Sequence, residues 1–96
     1  EFLPACKKAG MHVILDGVGE LKVDDEAYKD MWLSPKSHVL LETDNPNNDK
    51  AVVWIGPWRK SRVVAIQLGH GPPTFRDAGY RRLVHNAILW VAGRLN

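Results

Sequence analysis

The chain has 96 residues, of which 45% are hydrophobic and 25% are charged, and its formal net charge is +2. This length suits one domain rather than two, and the composition is that of a globular protein rather than a disordered one. The 13 basic and 11 acidic residues lack the one-sided basic field typical of nucleic-acid-binding proteins. No apolar run approaches the roughly 20 residues that cross a membrane.

The first third of the chain predicts short elements. Residues 1–10 are ambiguous, with a helical turn as one interpretation, and residues 11–15 (MHVIL) predict a strand closed by an Asp-Gly turn. Acidic residues at 24–26 favour the start of a helix. Apolar side chains follow them at helical spacing up to residue 32. We therefore predict a helix of about two turns, ended by the Ser-Pro at 34–35.

The middle of the chain predicts three strands. Residues 37–43 (SHVLLET) form the first, and a polar turn cluster at 44–50 separates it from the second at 51–55 (AVVWI). A Gly-Pro turn follows, and residues 62–68 (RVVAIQL) return. Residues 51–68 therefore predict an antiparallel hairpin, and its near-continuous apolar strands are typical of a sheet covered on both faces.

The last element is predicted to be a long amphipathic helix over about 78–94, with Asp77 as its N-cap. Its apolar residues recur every three or four positions, which predicts that this face packs on the sheet. They are Tyr80, Leu83, Val84, Ala87, Ile88, Val91, Ala92 and Leu95. The opposite, solvent-facing side is predicted to hold Arg81, Arg82, Asn86 and Arg94.

His70 is the strongest candidate functional residue. It follows an apolar strand and stands between Gly69 and Gly71, which permit close approach of a ligand. In open α/β sheets, ligands bind at the carboxyl ends of the strands. An imidazole there can act as a base, a hydrogen-bond donor or a metal ligand. The structural alternative is a histidine that only hydrogen-bonds its own loop.

The acidic helix start and two tryptophans are further candidates. Glu26 could orient an imidazole or grip sugar hydroxyls, although acids at a helix start also stabilise the helix by themselves. Trp32 and Trp58 fall in a helix end and a turn, where an aromatic face could stack on a sugar ring. The spacing of the four histidines gives no metal signature. The lone Cys6 excludes an internal disulfide, and a nucleophilic role for it has no support in the sequence.

Five segments in order resemble the closing half of a ThuA-like (trehalose-utilisation) domain. They are DEAY (25–28), SPKSHVLLETD (34–44), VVW (52–54), SRVVAIQLGH (61–70) and TFRDAGYRRLVHNAILWVAGR (74–94). No single one of these motifs is specific, but their combination and order are.

The resemblance implies an α/β fold with a mixed, three-layer-type sheet, flavodoxin-like and similar to class I glutamine amidotransferases. It implies a link to trehalose or related glycosides, and some members are thought to act on oxidised (keto) glycosides. His70 corresponds in position to the strand-end histidine of the amidotransferases, and Glu26 and Tyr28 match an acidic-Glu-x-Tyr motif. Family members generally lack the amidotransferase cysteine, so glutaminase activity is not implied.

A complete family domain is longer, so we expect residues 1–96 to be a single domain that forms the C-terminal fragment of one. The fragment is expected to self-associate through an exposed sheet edge, and the absence of a signal-peptide pattern favours the cytoplasm. Two functions compete: a carbohydrate-directed hydrolase with His70 and Glu26 as catalytic residues, and a non-catalytic sugar-binding or assembly module. No cofactor is predicted, and a divalent metal at His70 is an alternative.

Overall fold

The computed structural model describes residues 6–19, 21, 32–43, 49–58, 60–68 and 72–95. Four strands and two α-helices occur in these ranges, together with a short 3-10 helix at Val13–Leu15. The strands are β1 (Cys6–Lys8), β2 (His38–Thr43), β3 (Ala51–Ile55) and β4 (Val64–Ile66), and the helices are α1 (Pro72–Arg76) and α2 (Ala78–Val91).

The strands form one sheet in the order β1-β2-β3-β4, and each neighbouring pair is antiparallel. The predicted hairpin over 51–68 is confirmed, with Val53 opposite Ile66 and Ile55 opposite Val64. The described part of the chain is therefore a mixed α/β fold: an antiparallel sheet followed by a C-terminal helix. The predicted helix near residues 27–32 lies outside the described residues, except for Trp32.

The sheet is covered on both faces at its centre. Val52 and Val53 are adjacent on β3, so their side chains point to opposite faces, and both are fully buried. On β2, an irregularity in the pairing lies next to the equally buried Leu40 and Leu41. Burial on both sides explains the near-continuous apolar runs in these strands.

The prediction of a strand at 11–15 is wrong. Its apolar residues form the 3-10 helix, and the first strand of the sheet is instead Cys6–Lys8. A short apolar run has no periodicity that separates a strand from a buried helical turn. Local hydrogen bonding decides the outcome here: His12 Nδ1 accepts from the Ile14 N–H, and Gly17 closes the turn at a φ of +76°.

The start of α2 is the one that the sequence predicts. The Asp77 side chain accepts a hydrogen bond of 2.8 Å from the Tyr80 N–H, so Asp77 is the N-cap. This bond satisfies one of the backbone N–H groups that the first helical turn leaves without a partner.

The end of α2 comes three residues earlier than the predicted boundary at 94. Gly93 takes a left-handed φ of +76°. Its N–H donates to the Trp90 carbonyl, and the Arg94 N–H donates to the Leu89 carbonyl at 2.8 Å. This paired bonding is the Schellman arrangement that ends many helices at a glycine. The helical apolar spacing therefore continues past the point where the backbone stops being helical.

The buried face of α2 differs from the one predicted. Leu83 and Ala87 are buried as expected, but so is Asn86, which was assigned to the solvent side. Ile88 and Val91, assigned to the sheet-facing side, are 59% and 45% exposed. The physical reason is a pair of hydrogen bonds, in which Asn86 Nδ2 donates to the backbone oxygens of Ile14 and Asp16, in and directly after the 3-10 helix. These bonds orient the helix so that the face carrying Asn86 points inward.

Candidate functional site

The carboxyl end of β4 opens on a small cleft. Directly after β4, the Gln67 N–H donates a hydrogen bond of 2.8 Å to the Val52 carbonyl. This bond holds the chain beside the start of β3. The cleft has a volume of about 190 Å³. Its lining, called here the β4-end cleft, is Leu33, Asp49, Lys50, Ala51, Trp54 and Gln67.

The lining of the β4-end cleft combines an indole with polar groups. Trp54, on β3, and Gln67, directly after β4, are half-buried, whereas Asp49 and Lys50 precede β3. Lys50 Nζ lies 3.9 Å from a Glu42 carboxylate oxygen in an exposed pair, which contributes little to stability. A carboxylate, an ammonium and an amide beside an aromatic wall can together hydrogen-bond and stack a small polyhydroxylated ligand.

Most of the predicted site residues lie outside the described residues: Glu26, Tyr28, Gly69, His70 and Gly71. Their predicted roles stay predictions. Trp32 is described and is 82% exposed. Its neighbour Leu33 lines the β4-end cleft, so the segment that carries Trp32 passes beside the carboxyl end of β4.

Trp58 lies at the other end of the hairpin. It is 63% exposed and sits against Gly56, where a Cβ would come within 3.0 Å of the indole Nε1. It borders a second cleft of about 400 Å³, called here the Trp58 cleft, which is lined by Ile55, Gly56, Trp58, Lys60, Ser61, Arg62 and Trp90. Because β3 separates Ala51 from Ile55 by about 13 Å, Trp58 and the β4-end cleft are separate surfaces.

A cluster of aromatic and cationic side chains around Trp90 was not predicted. The His12 ring meets Trp90 edge-on at 5.0 Å between centroids and lies 6.1 Å from the His38 ring. The Arg62 guanidinium stacks on Trp90 at 4.9 Å. The four residues come from distant parts of the sequence without a motif spacing, so no pattern in the sequence indicates this cluster.

The comparison with protein families decides the kinship. A family model described as "ThuA: Trehalose utilisation" matches residues 4–91, which is most of the chain. The chain belongs to the ThuA family. The resemblance drawn from the five sequence segments is thereby confirmed. No curated protein and no solved structure gives a significant match.

The ThuA match covers β1 to β4, α1 and α2, the strands and α-helices that the structure describes. Among the described residues of this ThuA domain, no group of three or more His, Cys, Asp or Glu side chains could hold a metal ion. In the same residues, no helix is long and apolar enough to cross a bilayer.

His12 is expected to make the stability of this ThuA domain depend on pH. Burial, followed by the charges of His38 and Arg62, lowers the pKa of His12 below its ordinary value of about 6.5. The unfolded chain then binds a proton at a pH where the folded chain still does not. We expect the free energy of unfolding to decrease as the pH falls through about 6.5, and this decrease to stop below the folded-state pKa of His12.

Urea denaturation at closely spaced pH values checks this expectation. His12→Asn keeps a side-chain acceptor for the Ile14 N–H and removes the titration, so its profile should be flatter than that of the wild type. His85→Asn, at an exposed position on α2, serves as the matched control. Equal pH slopes for the wild type and His12→Asn would contradict the assignment.

Proposed function

We propose that this ThuA domain acts on trehalose or a related glycoside, in a hydrolase-like reaction at the edge where β4 ends. The observation that carries the proposal is the β4-end cleft. There the carboxyl end of a half-buried hairpin strand meets an indole, an amide and a carboxylate. The family description, trehalose utilisation, supports a carbohydrate as the ligand.

His70 is the proposed catalytic base or substrate ligand. The support for this role comes from the sequence, in which His70 follows Gln67, a residue of the cleft lining, by three positions. A histidine is suited to the role because its pKa lies close to neutrality. Glu26 is the proposed acid or orienting carboxylate, and Tyr28 is proposed to contact the sugar.

A glutaminase-like reaction is not proposed. The amidotransferase reaction needs an accessible thiolate nucleophile. Cys6 is the only cysteine of the chain, and it is fully buried in β1, paired with β2. Its side chain behaves as a small apolar member of the core.

The volume of the cleft limits the ligand. At about 190 Å³ the β4-end cleft is smaller than the roughly 300–1,000 Å³ of a typical pocket for a larger ligand. It suits one sugar ring, with the glycosidic oxygen and the second ring directed outward. Trp32, exposed next to Leu33, is the proposed stacking surface for that second ring.

We also propose that the sheet and α2 belong to a larger three-layer α/β domain of the class I glutamine amidotransferase-like kind. The exposed apolar side chains of Phe75, Ile88 and Val91 support this, because such a layer would cover them. In the described residues the outer edge of β4 has no partner strand. In the isolated chain, a second copy is proposed to pair there.

Turnover by the whole chain tests the catalytic proposal. The purified wild type and His70→Ala are assayed against a panel of trehalose, other disaccharides and their keto derivatives. Loss of a general base typically lowers the rate by 10²–10⁴-fold, so we expect at least a hundredfold loss with an unchanged circular dichroism spectrum. His85→Ala, an exposed histidine on α2, is the matched control and should keep full activity.

Two outcomes contradict the proposal. Sugar binding by both proteins without turnover in either would favour the alternative of a non-catalytic binding or assembly module. Equal turnover in the wild type and His70→Ala would remove His70 from the chemistry. Gln67→Leu then tests the location of the site, because it removes an amide from the cleft and should weaken sugar binding while His70 is intact.

A further inference from the structure

We propose that the Trp58 cleft is a second ligand site, and that it binds an anionic sugar such as a sugar phosphate or a uronic acid. The cleft lies at the turn of the β3–β4 hairpin, at the opposite end of β3 from the β4-end cleft. It is therefore independent of the reaction proposed above. Its lining supplies three chemical features that an anionic sugar would use.

The first feature is a pair of indoles. Trp58 is 63% exposed although it is large and apolar, and Trp90 on α2 borders the same cleft as a half-buried ring. Exposure of an indole at a concave surface leaves apolar area that water solvates poorly. The apolar face of a pyranose ring can cover such a surface while its hydroxyls stay in water.

The second feature is a fixed cation. The Arg62 guanidinium stacks on the Trp90 ring at 4.9 Å, and its Nη1 donates 2.9 Å to the Trp90 carbonyl. An arginine carries five N–H donors, so the guanidinium can bind an anion while it keeps this bond. A planar guanidinium held in one orientation favours two-point recognition of a phosphate or a carboxylate.

The third feature is the charge of the whole lining. Lys60 adds a second cation and Ser61 a hydroxyl, both exposed in the same turn, and none of the seven lining residues is acidic. The cleft is thus locally cationic on a chain whose net charge is only +2. At about 400 Å³ it is twice as large as the β4-end cleft and can hold a sugar ring together with its anionic group.

Titration of the 96-residue chain tests the proposal with four probes: glucose, glucose 6-phosphate, glucuronate and inorganic phosphate. Isothermal calorimetry and tryptophan fluorescence are the readouts. We expect at least one anionic sugar to bind about tenfold or more tightly than both glucose and phosphate, since the ring and the anion each contribute. The comparison between glucose 6-phosphate and glucuronate decides which anionic group the cleft prefers.

Variants locate the binding. Trp58→Ala and Lys60→Gln should each weaken anionic sugar binding by about tenfold, and Trp58→Ala should also remove the part of the fluorescence change that comes from Trp58. The controls are Phe75→Ala and Lys36→Gln, which alter an exposed aromatic residue and an exposed lysine outside the cleft. Both should bind like the wild type.

Three results would overturn the proposal: no binding of either anionic sugar, an affinity for both anionic sugars no higher than that for phosphate or for glucose, or binding that Trp58→Ala does not affect. His70→Ala distinguishes the two sites. That variant is expected to keep anionic sugar binding at the Trp58 cleft even though it loses turnover. A failure of one proposal therefore leaves the other open to its own test.

Discussion

Replacing Leu83 by alanine is expected to lower the free energy of unfolding by about 2–5 kcal/mol, the usual cost of truncating a leucine in a well-packed core. Leu83 is fully buried and belongs to the cluster that joins α2 to the sheet and to the 3-10 helix. A chain of this size is typically stable by only about 5–15 kcal/mol. The loss should therefore be plain in urea denaturation, as a lower midpoint with an unchanged slope.

Ile88→Ala is the matched control, because it also truncates an aliphatic side chain to alanine on the same helix. Ile88 is 59% exposed, so little apolar surface is lost from the core, and alanine has the higher helix propensity. We expect a change within about 0.5 kcal/mol. An Ile88→Ala variant as unstable as Leu83→Ala would mean that α2 packs on the face that its apolar spacing predicts, and the structure would be contradicted.

Strands β2, β3 and β4 and the start of α2 could be predicted from local features, whereas β1 could not. The polar cluster before β3 and the Gly-Pro turn after it separate apolar segments that are too short to be long helices. The turn residues and the apolar composition of these segments therefore predict the hairpin. Asp77 was predicted as the N-cap because its carboxylate suits the free N–H groups of a first turn. Such features act within a few residues, and the sequence displays them directly.

The rotation of α2 could not be predicted in this way. At about 100° per residue, Asn86 lies about 60° from Leu83 around the helix, whereas Ile88 lies about 140° away. The apolar residues of α2 cover a wide arc, and their spacing does not say which part of it faces the core. A tertiary contact decides: the Asn86 amide reaches backbone oxygens far away in the sequence.

The candidate site residues could be predicted only in part, because tertiary contacts bring several of them together. Trp58 was singled out from its place in a turn, and it does border a cleft. Its neighbours Arg62 and Trp90 are brought together by the packing of α2 beside the hairpin, which no spacing in the sequence encodes. The same holds for His12, which meets Trp90 only in the folded chain.

Replacing Asn86 is the second change that is expected to lower the free energy of unfolding strongly. It is 3% exposed, and its Nδ2 donates to the Ile14 carbonyl at 2.9 Å and to the Asp16 carbonyl at 2.8 Å. Asn86→Leu keeps the number and branching of the side-chain heavy atoms but removes both N–H donors. The Asp16 carbonyl keeps a 3.2 Å hydrogen bond from Arg82 Nε, so the Ile14 carbonyl is the acceptor that loses its donor. A buried acceptor left without a partner costs about 1–3 kcal/mol, and we expect a loss of that order.

Asn86→Asp should be more harmful than Asn86→Leu at neutral pH, because it directs a buried carboxylate at two carbonyl oxygens and supplies no donor. This raises the folded-state pKa of the introduced carboxyl above its unfolded value. By linkage, the penalty is full at a pH above the folded value and disappears below the unfolded one, so the variant should regain stability as the pH falls. His85→Asp, which introduces the same group at an exposed neighbouring position, should change stability by less than about 1 kcal/mol.

The pair of Asn86 variants separates anchoring from simple burial. If the amide orients α2, both variants lose stability, and only Asn86→Asp recovers it in acid. If the Ile14 and Asp16 carbonyls instead reach water once the amide is gone, Asn86→Leu would be as stable as the wild type or more so, since an apolar side chain suits a buried position better. Chemical denaturation of the wild type and the two variants across pH distinguishes the two cases. Only if the amide anchors α2 does the stability depend on having an N–H donor at this position.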